Sequence, residues 1–209
     1  MPVTGGKGVV ELSQRGQYAL GGIGRQYWDF RDNATLGYIT GRRILDAGCG
    51  EGITLGRLVE RFPDKKIMGV DVDPKNISIC KHHGLPVLNA HLQALPLMDE
   101  AFDSIILMEV IEHLETPRKI LKELFRVLAP GGRLIIVFPN DMGMMMARLV
   151  CLRWREAFFD PCHLRQWGFR TLSKLLYECG FSVAHTRSIP LFIPFMLHGI
   201  IVAERKKVS

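Results

Sequence analysis

The sequence predicts an α/β fold built on a doubly wound sheet of seven mostly parallel strands. Short β-branched runs alternate with longer amphipathic stretches between residues 41 and 140. Strands joined by helical crossovers lie parallel in a sheet that helices cover on both faces. Near the carboxyl end, two apolar runs follow each other without a helix between them, which is typical of an antiparallel pair. We therefore expect a parallel core that ends in an antiparallel strand pair.

The composition is that of one globular domain. The 209 residues are 47% hydrophobic and 23% charged, which excludes extensive disorder, collagen-like repetition and a small disulfide scaffold. This length suits a single core. We expect one domain over 1–209, with a lead or cap at 1–40, a core at 41–140, a lid-like insertion at 141–170, and a helix and hairpin at 171–209.

The first half of the core contains three short strands and two helices. The strands are expected at Arg43–Ala47, Lys66–Asp71 and Leu85–Leu88. One helix is expected at 54–62, where apolar residues recur every three or four positions. The other, at 74–83, starts at a proline and ends before a glycine.

The second half of the core continues this alternation and then departs from it. A strand at Phe102–Leu107 is expected to precede a helix that has Thr116 as its N-cap and Pro117 at its first position. A turn at 129–132 should separate that helix from a strand at Arg133–Phe138. The tail is expected to contain a helix at 171–179 and then strands at Phe181–Thr186 and Leu197–Glu204.

Cysteine usage and targeting signals predict the compartment. The five cysteines form an odd set without a Cys-x-x-Cys pair, which disfavours a disulfide framework and fits a reducing compartment. The amino terminus lacks the basic start and apolar run of a secretory signal. The apolar stretch 189–203 is shorter than the ~20 residues of a spanning helix and is interrupted by two prolines. We expect a cytoplasmic protein without a transmembrane segment.

The strongest local signal is the loop Asp46-Ala47-Gly48-Cys49-Gly50-Glu51-Gly52, between the first strand and the first helix. Its glycines allow a ligand to approach the backbone, and the amino end of a helix offers unpaired N–H groups. In the dinucleotide pattern the third glycine comes three residues after the second, which is not the spacing here. Asp46 would repel a pyrophosphate but could bind a cationic amino acid. Tight packing of the turn is the alternative explanation.

Five ordered segments resemble motifs of the class I S-adenosylmethionine-dependent methyltransferases, which have a Rossmann-like fold. They are the glycine loop, Gly69-Val70-Asp71-Val72-Asp73, Leu95-Pro96-Leu97 with Phe102-Asp103, Glu112-His113-Leu114, and 127–132. The likeness extends in order from Arg43 to Val137. It implies S-adenosylmethionine as the cofactor and S-adenosylhomocysteine as the product, while it says little about the methyl acceptor.

The resemblance also implies which residues hold the methionine and ribose portions of the cofactor. Asp46, Gly48, Cys49 and Gly50 would line the methionine portion. Asp71, at the end of the next strand, would hold the two ribose hydroxyls.

The same resemblance places the adenine beside Val72. Related sequences often carry an aspartate at the position of His91, where it accepts a hydrogen bond from the adenine amino group. A neutral His91 imidazole can accept that bond through its unprotonated nitrogen. The alternative is a surface His91, with the N–H of Leu92 contacting the ring instead.

Three residues are candidates for a general base. Methyl transfer is an in-line displacement in which the protein mainly positions the reactants, and a base is needed only when the acceptor must lose a proton. Glu109 follows the fourth strand, and His113 lies in the Glu-His-Leu segment, where it could instead satisfy backbone groups. His163 lies in a segment that similar methyltransferases place near the pocket mouth, and a structural role is open for it too. No second ligand pair has the spacing of a zinc site beside Cys162, so no metal is expected.

The segment 142–170 carries +3 of the net charge of +6, from five arginines and two acidic residues. Methionines and aromatic residues lie between them. One interpretation is an ordinary insertion packed over the sheet edge. The other is a lid in which Arg153, Arg155 and Trp167 contact a partly apolar, anionic acceptor, and contact with a membrane surface also stays open. The aromatic lead around Tyr27 and Trp28 could close over the cofactor from the other side.

The sequence therefore favours a methyltransferase that acts on a small, partly apolar and anionic molecule. Phe138-Pro139-Asn140 resembles, over a short stretch, the methionine biosynthesis protein W family, so the chain could instead be the cofactor-binding partner of another biosynthetic enzyme. Methylation of RNA or protein is a third hypothesis. Nucleic acid is not expected as a partner because the basic charge is local.

Overall fold

The computed structural model of the chain describes residues 14–140, 165–189 and 197–206. Its centre is a seven-stranded sheet with the order β3-β2-β1-β4-β5-β7-β6. The strands are β1 Arg43–Ala47, β2 Lys66–Asp71, β3 Val87–Asn89, β4 Phe102–Met108, β5 Leu128–Pro139, β6 Ser182–Ile189 and β7 His198–Glu204. The first five strands pair in parallel, and β7 runs antiparallel to both β5 and β6. The predicted parallel core with a carboxyl-terminal antiparallel pair is confirmed.

Six helices lie in the described part of the chain. They are α1 Gln14–Ala19, α2 Gly22–Leu36, α3 Ile53–Arg61, α4 Pro74–His82, α5 Pro117–Val127 and α6 Phe169–Glu178, with a short 3₁₀ turn at Ile111–His113. Two of them, α1 and α2, lie in the segment that precedes the sheet, for which the sequence predicted no helix. Thr116 precedes α5 as expected, but its side chain makes no capping hydrogen bond; its carbonyl accepts from the N–H groups of Lys119 and Ile120.

The core lies on both faces of the central strands β4 and β5. Successive side chains of a strand point to opposite faces, so Ile105 and Leu107 pack with residues of α5 and α6. On the other face, Ile106 and Met108 pack with residues of α2 and α3. The two helix layers therefore cover the two faces of one sheet, and α2 is held against the face that also carries α3.

The parallel strands β1, β4 and β5 all end at one edge of the sheet. The antiparallel strand β7 begins at the same edge. His198, the first residue of β7, pairs with Pro139 at the end of β5, and the N–H of Asn140 donates to Leu197 O over 2.8 Å. His198 therefore lies at the same edge of the sheet as the last residues of the parallel strands.

The predicted turn at 129–132 was wrong, because these residues belong to β5. Phe102 pairs with Leu128 and Ser104 with Arg133, so the segment between them bulges within the strand. Gly131 N–H donates to Arg205 O over 2.6 Å, and Arg205 N–H donates to Gly132 O over 3.1 Å. Arg205, the residue that follows β7, therefore supplies the hydrogen-bond partners that hold the Pro-Gly-Gly sequence as a bulged strand. As a result β5 begins five residues before its predicted start at Arg133. The other predicted strands and helices are present within three residues of their expected bounds.

None of the helices among the described residues combines the length and the apolar character needed to cross a membrane.

We predict that Gly132→Ala destabilises the protein. A Cβ at this position would lie 2.8 Å from Ala129 O and 2.9 Å from Asp103 O, both backbone atoms with little freedom to move. Such overpacking costs roughly 1–3 kcal/mol of unfolding free energy, measured by urea denaturation. The same substitution at Gly37, where the nearest atom would be 3.8 Å away, is expected to change stability by less than about 0.5 kcal/mol. Equal effects of the two substitutions would contradict the tight packing of the bulge.

Candidate active site

A cavity of about 110 Å³ lies at the edge of the sheet where β1 and β4 end. Three parts of the chain form its wall: helix α2, the loop from β1 into α3, and the residues that end β4. The lining residues are Trp28, Arg31, Asp46, Gly48, Cys49, Gly50, Ile53, Thr54, Met108 and Glu109. Open α/β sheets bind ligands outside the carboxyl ends of their strands, so this is the expected place for a site.

The glycine loop turns from β1 into α3 through left-handed backbone. Gly48, Gly50 and Gly52 have φ values of 77°, 53° and 77°, a region that side chains other than glycine rarely adopt. A Cβ on Gly48 would lie 2.7 Å from Val110 Cγ2. The N–H groups of Gly48 and Cys49 both donate to Val70 O, over 2.7 and 3.0 Å. The loop is therefore anchored on β2, with glycine required where it lines the cavity.

Asp46, the next-to-last residue of β1, is a buried acid. Its side chain lines the cavity although the residue is only 1% exposed, and its Oδ2 has no hydrogen-bond partner among the described residues. Burial, with the nearby carboxylates of Asp32 and Asp71, raises its pKa from 3.8 to about 7. A cation delivered to this oxygen would offset both the desolvation and the repulsion.

Asp32, on α2, is fully buried behind the cavity and has several partners. Arg31 donates to its Oδ1 through Nε over 3.0 Å and through Nη2 over 2.9 Å. Its Oδ2 accepts from Arg57 Nη1 over 2.6 Å and from Thr54 Oγ1 over 3.1 Å. Arg57 also donates to Trp28 O over 3.1 Å. These bonds fasten α2 to α3 and hold Trp28 and Arg31 in the cavity wall.

Glu109, one residue beyond β4, connects Arg31 to the start of β7. Its φ of 52° lies in the left-handed region, and Arg31 Nη1 donates to its Oε2 over 2.7 Å. Its Oε1 contacts His198 Nε2, while the other ring nitrogen, Nδ1, contacts the hydroxyl of Tyr27. Burial alone would raise the pKa of Glu109, but Arg31 and His198 hold it well below its usual range. Glu109 is therefore a carboxylate at neutral pH and a weak proton acceptor.

Asp71 ends β2 beside the glycine loop. Its Oδ2 accepts from Gly50 N–H over 2.9 Å, and its Oδ1 accepts from Asp73 N–H over 2.9 Å and from Asn76 Nδ2 over 3.1 Å. These donors fix its orientation and leave a lone pair on Oδ2 for a further partner. Asp71 therefore contacts the glycine loop directly, through Gly50.

The residues predicted to contact adenine lie at the ends of β2 and β3, outside the lining of the cavity. Val72 is 52% exposed. His91 is exposed, and Leu92 is half-buried and packs against the main apolar cluster. Asp71 pairs with Asn89 across these two strands, so Val72 and His91 each follow one of two neighbouring strand ends.

Among the described residues, His113 and Trp167 are two further predicted site residues, and neither lines the cavity. His113 ends the 3₁₀ turn with its side chain 43% exposed and its Nε2 3.9 Å from Glu112 Oε1. Trp167 donates through Nε1 to Ile111 O over 3.1 Å and lines a separate groove of about 660 Å³ between α5 and α6. His163, Arg153 and Arg155 lie outside the described residues.

Two members of the site, Asp32 and His198, were missed by sequence reasoning. His198 could have been noticed, because it is a histidine at the start of an otherwise apolar antiparallel strand. Asp32 follows Trp28 at helical spacing, but its burial between α2 and α3 depends on Arg57, and no local pattern indicates that pairing.

The chain is similar in sequence to known methyltransferases. A family model described as a methyltransferase domain matches residues 45–136. A probable S-adenosylmethionine-dependent methyltransferase of Mycolicibacterium smegmatis is 28% identical over 200 residues, covering 92% of this chain and 72% of that protein. A demethylmenaquinone methyltransferase of Thermus thermophilus is 39% identical over 105 residues, covering 47% of this chain and 48% of that protein. The chain therefore spans about half the length of this second relative.

A solved structure shows the same fold. The crystal structure of a SAM-dependent methyltransferase from Archaeoglobus fulgidus superposes with a TM-score of 0.68, covering 86% of this chain and 94% of that chain at 20% identity. At this level of identity the likeness concerns the fold.

We predict that, because of Asp46, the unliganded protein becomes less stable as the pH rises. Folding raises the pKa of Asp46 from 3.8 to about 7, so the folded state binds the proton more tightly than the unfolded state. The stabilisation that results is complete below pH 3.8 and is lost as the pH rises to about 7. Between pH 5 and 8 the wild type should lose about 2–3 kcal/mol relative to Asp46→Asn, measured by urea denaturation. Asp64→Asn, at an exposed position, should follow the wild type. Parallel pH profiles for wild type and Asp46→Asn would contradict the raised pKa.

Proposed function

Because the chain belongs to the class I S-adenosylmethionine-dependent methyltransferases, we propose that it methylates a small, partly apolar and anionic acceptor. S-adenosylmethionine supplies an electrophilic methyl group on a sulfonium, and S-adenosylhomocysteine is the product. The protein's own contribution is to hold the two reactants in line and to exclude water, since proximity and orientation account for much of the rate of such displacements.

The observation that carries the proposal is that Asp46 Oδ2, in the wall of the cavity, has no hydrogen-bond partner in the part of the chain that the structure describes. The methionine portion of the cofactor carries an α-ammonium group, which would pair with this carboxylate. Gly48, Cys49 and Gly50 line the cavity beside it, where missing side chains on the two glycines leave room for the backbone of that amino acid. A dinucleotide would instead bring a pyrophosphate to a loop that begins with a carboxylate.

The other half of the cofactor would extend along the ends of β2 and β3. Asp71, held by Gly50 and Asp73, would accept hydrogen bonds from the ribose hydroxyls. Val72 would cover one face of the adenine, and His91 or the N–H of Leu92 would contact the edge of the ring. The 110 Å³ cavity then takes the methionine end, which is the end that carries the reactive methyl group.

Two observations support an acceptor that is partly apolar: the residues of the cavity wall and the name of a relative. Trp28, Ile53 and Met108 bring apolar surface next to the charged lining, and the Thermus thermophilus relative is named for demethylmenaquinone, a quinone. The five arginines of the segment 142–170 support an acceptor that is anionic. Among them, Arg153 and Arg155 would pair with a carboxylate or phosphate on the acceptor. Trp167, together with His113 and His163, would lie on the acceptor side.

We predict transfer of labelled methyl groups from S-adenosylmethionine to members of a panel of phenols, amines and carboxylates that carry apolar tails. Arg153→Ala with Arg155→Ala should lower kcat/KM for anionic acceptors roughly 10- to 100-fold, because charge-assisted hydrogen bonds are worth about 1.5–3 kcal/mol. The dissociation constant for S-adenosylhomocysteine, measured by calorimetry, should not change.

The matched control is Lys66→Ala with Lys206→Ala, which removes two exposed cations from the opposite edge of the sheet and should leave kcat/KM unchanged. Cofactor binding without transfer to any acceptor would favour a cofactor-binding partner protein. No binding of S-adenosylhomocysteine at all would contradict both functions.

A further inference from the structure

We propose that Tyr27 and His198 form a proton relay that receives the proton of an O–H or N–H acceptor during methyl transfer, with Glu109 holding the imidazole in place. The inference rests on the proposed function and names the groups that assist it. In this proposal Tyr27 is the catalytic residue, whose hydroxyl would contact the acceptor. Glu109 is a positioning residue that acts through His198.

Three distant parts of the chain build the relay. Tyr27 lies on α2, Glu109 follows β4, and His198 begins β7; the hydroxyl of Tyr27 contacts Nδ1 of His198, and Nε2 of His198 contacts Oε1 of Glu109. The rings of Tyr27 and His198 also stack, with centroids 5.5 Å apart. Because β7 is antiparallel, its first residue reaches the same edge as the end of β4. His198 is 3% exposed, and both of its ring nitrogens are engaged.

The hydrogen bonds define the direction of the relay. Arg31 keeps Glu109 ionised, with Nη1 2.7 Å from Oε2, so Oε1 can only accept and Nε2 of His198 must carry a hydrogen. In a neutral imidazole, Nδ1 is then unprotonated and accepts the hydrogen of the Tyr27 hydroxyl. Burial raises the pKa of Tyr27, so the phenol keeps its hydrogen in the resting protein. Its oxygen lone pairs remain to accept a hydrogen bond from another molecule.

Tyr27 is the half-buried end of the relay on α2, whereas His198 is 3% exposed. Its helix neighbours Trp28 and Arg31 line the cavity, and so does Glu109 at the other end of the relay. The proposal therefore places the acceptor atom at the Tyr27 hydroxyl, with the buried imidazole between Tyr27 and Glu109.

The proton and charge balance as follows. As the acceptor atom forms its bond to the methyl carbon, its bond to hydrogen breaks, and that proton passes to the oxygen of Tyr27 while the hydrogen of Tyr27 passes to Nδ1 of His198. The electron pair of the broken carbon–sulfur bond stays on sulfur. The positive charge lost from the sulfonium thus reappears on the imidazole, where the Glu109 carboxylate stabilises it. The proton later leaves by the reverse path through Tyr27 to solvent.

The relay is tested by nitrogen NMR of the full chain labelled with ¹⁵N-histidine, with the His198 signals assigned from a His198→Gln sample. The proposal predicts a resting ring that is unprotonated at Nδ1 and protonated at Nε2. Tyr27→Phe should shift Nδ1 toward the value of a nitrogen without a hydrogen bond and leave Nε2 protonated. Glu109→Gln should release the fixed tautomer, and Tyr177→Phe, at an exposed position, should change neither signal. A hydrogen on Nδ1 in the resting wild type would overturn the relay, because that nitrogen could not receive the proton.

Activity supplies the second measurement. For an acceptor of the panel that is still protonated at the assay pH, such as a phenol, Tyr27→Phe should lower kcat about 100-fold, within the usual contribution of acid–base catalysis. For an acceptor that is already ionised, such as a 4-nitrophenol, kcat should stay within about twofold, and binding of S-adenosylhomocysteine should not change. Equal losses for both acceptors would overturn the relay. Absence of transfer to every acceptor would count against the proposed function instead, and the NMR result would still decide the relay.

Discussion

The buried guanidinium of Arg31 is the group on which the site depends. It is 5% exposed and donates to Asp32 on one side and to Glu109 on the other. Without it, two carboxylates would remain at the back of the cavity with fewer partners, and a charge left unpaired in the interior is strongly destabilising. Arginine stays charged at any physiological pH, and its pairing with Glu109 joins α2 to the residue that follows β4. The cavity wall is therefore set by an ion pair as well as by apolar packing.

The same pairing gives the three acids around the cavity different properties. Asp32 is satisfied by Arg31, Arg57 and Thr54, and Glu109 is held ionised by Arg31 and His198. Asp46 is paired with neither arginine; among residues 14–140, 165–189 and 197–206 its Oδ2 has no partner, and its pKa is raised to about 7. One acid thus fastens helices, one orients a histidine, and one is left to attract a cation. This division suits a reaction in which a cationic cofactor must be bound and positioned.

The fold was predictable from sequence because its signals are local. Apolar periodicity indicated the strands and helices, and Gly48, Gly50 and Gly52 indicated the turn that the left-handed φ values require. The bulge at 129–132 was not predictable, because it depends on hydrogen bonds to Arg205, more than 70 residues away. The contact of Tyr27 with His198 joins residues 171 positions apart, and Arg31 meets Glu109 across 78. Charge pairing of this kind is decided by tertiary structure, so the sequence indicated the loop of the site but not its charged wall.

A crystal structure of the protein with S-adenosylhomocysteine tests most directly whether Asp46 is the anchor of the cofactor. The expected result is an α-amino group within hydrogen-bonding distance of Asp46 Oδ2, with Arg31 still bridging Asp32 and Glu109. A cofactor whose amino group contacts another acid or solvent, while Asp46 Oδ2 stays without a partner, would contradict the assignment of the buried unpaired acid as the cation site.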